Sequence, residues 1–225
     1  MLFDQFLSFK NRLLHHVASF FTHYPLLRST FFGVYCLLIA SLSCHPDVQV
    51  AFNGFEQEYP VVCTTPSKQA PRVAYINFRE DLDMLRAASN ALAKMIPVDT
   101  EAIVALGDKA NGLATLVALK KNLPLIILTK KATLEGTLHT TSYASITSGH
   151  KKMFISPMQA KKIYSKKTVL LDDIISTGSS MKTALQLCKQ AGAKIQAILC
   201  AGTEGEHRTH FENLPLKSLF HLPVY

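Results

Sequence analysis

The chain reads as an α/β protein: a mainly parallel twisted sheet with helices on both faces. Three observations predict it. Apolar runs of strand length alternate with helical periodicities from about residue 73 onward, a pattern that builds parallel sheets through crossover helices. The composition is that of a chain with a buried core, 48% hydrophobic and 18% charged, which excludes wholesale disorder. A length of 225 residues suits one substantial domain with an appendage.

Taken in order, residues 48–62 read as a hairpin. Val48, Val50 and Phe52 alternate, Asn53-Gly54 supplies a turn with positive φ, and 59–62 continues on the other side. A second strand is expected over 73–78. Leu82, Leu85, Ala88, Leu92 and Met95 then recur at helical spacing from about Asp81, and Pro97 stops that helix. A strand over 102–106 leads into the loop Gly107-Asp108-Lys109-Ala110 and a helix to about Lys121. Pro124 opens another strand, 125–128. The polar stretch 129–152, with Gly136 and Gly149 inside it, is long for a compact domain and predicts a functional loop or an exposed hairpin. A strand over 167–171, a helix over 180–191 and a strand over 195–200 complete the pattern.

The first forty-odd residues differ in kind. Before His45-Pro46 the sequence is rich in Phe and Leu, has no acidic residue after Asp4, and contains the nearly uncharged run STFFGVYCLLIASLS at 29–43. That run is shorter than the ~20 residues that usually span a bilayer. A signal peptide starts closer to its basic residues, and Lys10, Arg12 and Arg28 ahead of the run would send the remainder outside. Leu42-Ser43-Cys44 hints at a lipoprotein signal, but Ser41 stands where a larger aliphatic belongs. Residues 1–46 are therefore expected to form a hydrophobic, helical extension that packs on the domain, on a partner or on a membrane surface through 1–44. The domain proper is expected over 47–225.

The net charge of +8 points to an anionic partner, although basic residues that merely solvate the surface are the plain alternative. Five scattered cysteines with no CxxC pair suggest neither zinc nor a disulfide framework, and fit a reducing compartment. His207, His210 and His221 cluster too loosely to make a metal site.

The most informative segment is TVLLDDIISTGSSM, 168–181. An apolar strand ends in Asp172 and Asp173; two apolar residues follow, then the turn Ser176-Thr177-Gly178-Ser179-Ser180, then a helix. Small residues let successive backbone N–H groups converge on one anion, and a helix N-terminus adds unpaired donors and a favourable dipole. Hydroxyls contribute further hydrogen bonds, and Gly178 permits a backbone conformation that a side chain hinders. Two carboxylates would repel phosphate, so they need another target: sugar hydroxyls, with a divalent cation nearby. A capped helix after an acidic strand end is the bland reading of the same residues, but the full order of strand, acidic pair, turn and helix is far more specific.

That order resembles the phosphoribosyl-diphosphate signature of type I phosphoribosyltransferases. From about Val48 onward the chain is similar to adenine and xanthine phosphoribosyltransferases, including the 154–157 segment Phe-Ile-Ser-Pro and the tail Leu222-Pro223-Val224-Tyr225. The resemblance implies the type I fold with a small hood, purine salvage in the cytoplasm, Mg2+ held indirectly by Asp172 and Asp173, and a homodimer with no nucleic-acid partner. It places Asp172, Asp173 and 176–180 on phosphoribosyl diphosphate. Lys109, in the loop 107–111, and the basic pair Lys130-Lys131 fall where the family contacts diphosphate; Gly107 and Asp108 depart from the usual Glu-Ala there. The segment 140–149 is similar to the catalytic lid, with Tyr143 as its tyrosine. Adenine enzymes carry Glu three residues later, and this chain has Ile146, which withdraws general-acid help to the base and bears on base preference.

The implied reaction is displacement of diphosphate from C1 of phosphoribosyl diphosphate by a purine nitrogen, adenine-type by overall likeness. A sensor of the same fold with weak or no catalysis is the alternative that Ile146 favours. A membrane-associated scaffold is suggested only by 1–44. Aromatics in 52–59 and 211–225 are candidates for a hood over the base, although core packing is their commoner role.

Overall fold

A computed structural model of the chain describes residues 47–64, 71–130, 139–145 and 149–225. The expected N-terminal extension, with its membrane contact, lies outside the described residues. Hairpin β1 (Val48–Phe52) and β2 (Phe55–Tyr59) opens the domain. Asn53 and Gly54 turn it with φ of 47° and 81°, a pair of positive values that a two-residue hairpin loop requires. The return strand thus begins at Phe55, earlier than the 59–62 expected, because the turn is only two residues long. A short antiparallel pair follows, β3 (Val61–Cys63) with β4 (Arg72–Ala74). Helix α1 (Leu82–Met95) is capped by Asp81, whose carboxylate accepts from the Met84 N–H.

The centre is a six-stranded sheet in the order β11-β12-β10-β9-β5-β6. Strands β5 (Ala102–Leu106), β6 (Leu125–Leu128), β9 (Lys167–Ile175), β10 (Lys194–Glu204) and β12 (Leu214–Leu222) run parallel; only β11 (His210–Phe211), at the edge, is antiparallel. β5 is wholly buried, as expected for a strand covered on both faces. One core holds Ile103, Ala105, Val169, Leu171 and Leu199 against α1 and α2 (Asn111–Lys121). The other holds Val104, Leu170, Ile198 and Cys200 against α3 (Pro157–Ile163) and α4 (Ser179–Gln190).

The polar stretch 129–152 contributes the hairpin β7 (His139–Ser145) and β8 (Gly149–Ile155), which lies against α4. A hairpin was expected there in exposed form; at its β8 end Met153 and Ile155 are buried. Helix α3, absent from the expected pattern, begins with Pro157 behind a capping box in which Ser156 and Gln159 exchange hydrogen bonds.

Further strand bounds need correction: the strand expected over 73–78 stops at Ala74, and the one over 195–200 runs on to Glu204. β9 does not stop at Leu171 but continues through both aspartates to Ile175, held by pairing of Asp172, Ile174 and Ile175 with Cys200, Gly202 and Thr203 of β10. The greater part of segment 211–225 is β12, hydrogen-bonded to β10, and Phe220 belongs to the first core, the commoner role of such aromatics; at its end Tyr225 exchanges backbone hydrogen bonds with Arg72 of β4. Phe220 stacks on Phe52 with ring centroids 5.8 Å apart, and Phe52 and Phe55 pack on that core as well.

Candidate active site

Successive strands depart from β5 in opposite directions: β6 lies on one side, and β9, β10 and β12 on the other. The crevice between the carboxyl ends of β5 and β9 is therefore a topological switch point, where open α/β sheets take ligands. Everything predicted from 172–180 and from the loop after β5 falls at this edge. The amino ends are tied differently, by ion pairs of Lys167 with Asp99 and Lys166 with Glu101.

Asp172 and Asp173 are 9% and 8% exposed, among the few buried acidic residues of the described chain. Val169 and Leu171 face one core and Leu170 the other, yet Ile175 joins Leu170's side. Side-chain alternation along β9 therefore slips once between Leu171 and Ile175, in the stretch that holds both carboxylates. The Asp173 N–H donates to Asp172 Oδ1 at 2.9 Å. Burial raises the Asp172 carboxyl well above the usual range; the charge of Asp173 and a hydrogen bond between the two side chains raise it further, and Lys130 works weakly against them. The pair is thus poised to accept hydrogen bonds or meet a cation.

The turn after β9 ends in Gly178, whose φ of 79° and ψ of 3° make it the left-handed residue at the N-terminus of α4. A Cβ there would lie 2.3 Å from Phe211 Cε2. Glycine is required twice over, by conformation and by space. The Gly178 carbonyl accepts the first bond of α4, from the Lys182 N–H. Thr177 and Ser179 place their hydroxyls 3.4 Å apart. Ser176 reaches the Glu204 carboxylate, and Ser180 lies in the first turn of α4.

The loop 107–110 is held close to β6. The Gly107 N–H donates to the Leu128 carbonyl at 3.1 Å, and a Cβ on Gly107 would stand 2.2 Å from that oxygen. Asp108 takes a φ of 80°, uncommon for a residue with a side chain, and its carboxylate pairs with Lys130 across the two loops. Lys109 sits close enough to Glu204 to act on its carboxyl. The structure thus brings Asp172, Asp173, 176–180, Lys109 and Lys130 to one edge. Tyr143 is a β7 residue paired with Lys151 in backbone register. Lys131 and Ile146 lie outside the described residues.

Three residues outside the predicted set join this edge. Glu204 ends β10; burial pushes its carboxyl upward, the Ser176 hydroxyl and the Lys109 charge draw it down, and Asp173 pushes it up again. Its signal was legible: a carboxylate closing a buried strand. Arg208 and Phe211 come from the connection to β11 and carry no periodic signal. Of the three histidines, His207 lies edge-on to His221, which hydrogen-bonds Thr203. No cluster of three metal-ligating side chains occurs among the described residues.

Comparison with known proteins decides the family. Residues 85–221, more than half of the chain, match the phosphoribosyl transferase domain. The chain belongs to the phosphoribosyl transferase family. A hypoxanthine/guanine phosphoribosyltransferase of Methanococcus maripaludis (strain C7) is 29% identical over 119 residues, 52% of this chain and 61% of that relative. The chain thus spans about three fifths of the length of the curated relatives it matches first. Among solved structures, adenine phosphoribosyltransferase from Thermoanaerobacter pseudethanolicus superposes with a TM-score of 0.61 at 15% identity, covering 72% of this chain and 95% of that one. The adenine phosphoribosyltransferase of Trypanosoma brucei, solved with AMP, pyrophosphate and ribose 5-phosphate, gives a TM-score of 0.55 at 16% identity, covering 71% and 73%. At such identities the likeness shows the fold: type I, with a mostly parallel sheet.

Proposed function

We propose that the protein is a purine phosphoribosyltransferase, joining a purine base to phosphoribosyl diphosphate with release of diphosphate. One observation carries the reading: the acidic pair, the left-handed glycine turn opening α4, and lysines from two neighbouring loops converge at the switch point of the sheet. In this reading the amides and hydroxyls of Ser176, Thr177, Gly178, Ser179 and Ser180 hold the 5-phosphate. Asp172 and Asp173 accept hydrogen bonds from the ribose hydroxyls, which relieves two carboxylates that otherwise repel each other in a dry site. Lys109, Lys130 and Lys131 stabilise the departing diphosphate, Lys130 exchanging Asp108 for the leaving group. Tyr143 in the lid helps exclude water. The protein's share of catalysis is positioning and electrostatics.

Magnesium fits this donor set only as an ion shared with the substrate, since two adjacent carboxylates suit a cation but supply too few ligands for a protein-bound site. When bound, it would offset the negative charge of the diphosphate. Asp172 and Asp173 would hold it indirectly, through the hydroxyls and water.

For the base, likeness to adenine enzymes supports adenine, whereas the sequence relatives named above and Ile146 favour a 6-oxopurine as second reading. Nucleotide formation from adenine, hypoxanthine, guanine and xanthine, with phosphoribosyl diphosphate and magnesium, tests both. Turnover of one of these, abolished by the pair Asp172→Asn and Asp173→Asn, is expected. No nucleotide from any of the four bases would leave the enzymatic reading without support.

A further inference from the structure

Beyond β10 the chain turns back over the phosphate turn before entering β11, and this connection grips the turn by its backbone. Arg208 Nη1 donates to the Thr177 carbonyl oxygen at 3.1 Å. The same guanidinium is fixed from behind, with Nε and Nη2 donating to Glu206 Oε2 at 3.1 and 2.7 Å. The Arg208 side chain is 24% exposed and that of Glu206 74% exposed, so the clamp lies at the surface with the guanidinium partly covered. Phe211 closes the other side, its ring standing where a Gly178 side chain would project.

The geometry of one peptide unit gives this grip a consequence. In a planar trans peptide the C=O and N–H point in opposite directions. The Thr177 carbonyl and the Gly178 N–H belong to the same unit, and no cis bond occurs among the described residues. A carbonyl drawn to Arg208 therefore aims the Gly178 amide away from the guanidinium. If that plane turned over, a carbonyl oxygen would replace a donor facing the anion.

We propose that Arg208 is a positioning residue for phosphate recognition. By clamping the Thr177 carbonyl it turns the Gly178 amide toward the bound phosphate, and Glu206 fixes the clamp. This rests on the reading of 176–180 as the cradle for a 5-phosphate, and adds to it a residue outside the turn that sets its polarity.

The test is calorimetric titration of the full chain with ribose 5-phosphate, comparing wild type with Arg208→Ala, Arg208→Lys and Glu206→Gln. Arg208→Ala is expected to weaken binding about 10- to 100-fold, the effect of losing one hydrogen bond to a charged group. Lysine keeps one donor and recovers part of the loss; Glu206→Gln loses about 3- to 10-fold as the clamp loosens. In kinetics, KM for phosphoribosyl diphosphate rises while KM for the base stays put. In 15N spectra at saturating ribose 5-phosphate, the Gly178 amide moves downfield in wild type and much less in Arg208→Ala.

Wild-type affinity in folded Arg208→Ala overturns the inference. So does weakened affinity with an unchanged Gly178 shift, which would make Arg208 a direct phosphate ligand. If Arg208→Ala fails to fold, Arg208→Lys and Glu206→Gln decide on the same terms, wild-type binding by both overturning it. Wild type that binds no ribose 5-phosphate refutes the underlying reading instead.

Discussion

Substituting Gly178 by Ala perturbs the turn at its tightest point, and the structure fixes the scale of the effect. A φ of 79° costs an L-residue about 1–2 kcal/mol relative to glycine. The new methyl would lie 2.3 and 2.9 Å from Phe211 Cε2 and Cζ and 3.0 Å from Arg208 Nη1. Carbon atoms settle at about 3.5–4.0 Å, so the ring must retreat by roughly 1 Å or more, an overpacking cost of about 1–3 kcal/mol. Together these give about 2–5 kcal/mol, or a fall in Tm of about 4–20 °C at roughly 2–4 °C per kcal/mol for a domain of this size. Removing the ring separates the two parts. Gly178→Ala combined with Phe211→Ala loses the steric part and keeps the backbone part, so the pair should be non-additive by about 1–3 kcal/mol. Calorimetric melting of the four proteins measures the cycle. A single variant within about 0.5 kcal/mol of wild type, or strict additivity, would refute the reasoning.

Asp172→Asn should trade function for stability. The raised carboxyl of Asp172 means the folded state holds its proton more tightly, so wild-type stability falls as pH climbs from the unfolded carboxylate value (about 3.9) through the raised folded one. The variant is expected to be more stable by about 1–2 kcal/mol at neutral pH, with no advantage near pH 3, and to bind ribose 5-phosphate more weakly; melts across pH check the sign. Gly107→Ala drives a Cβ against a backbone oxygen that cannot step aside, so it should cost about 2–3 kcal/mol and raise KM for phosphoribosyl diphosphate by displacing Lys109. Equal stability and kinetics to wild type would remove that account.

The elements most legible in the sequence were those whose periodicity and punctuation agree. Strands 102–106 and 125–128 and the intervening helix ending at Lys121 match the structure because a Gly-Asp loop and Pro124 mark their limits. The turn 176–180 was legible as the break between β9 and α4, because small hydroxyl residues around Gly178 suit neither interior. The extent of β9 was not, since two aspartates look like the end of a strand unless the partner strand is known; only pairing with Cys200, Gly202 and Thr203 carries the backbone through them. β12 was hidden for a related reason. Pro215, Lys217 and His221 keep to its exposed phase, but Ser218-Leu219 breaks the alternation, and its place is fixed by β10. Arg208 and Phe211 act on the turn across about thirty residues of chain, a relation that no local spacing encodes.

The most direct measurement is a crystal structure of the chain with ribose 5-phosphate. The account predicts the phosphate within hydrogen-bond distance of the backbone amides between Thr177 and Ser180, with the ribose hydroxyls turned to Asp172 and Asp173. Phosphate density elsewhere on the molecule, with the turn empty at saturating ligand, would contradict it.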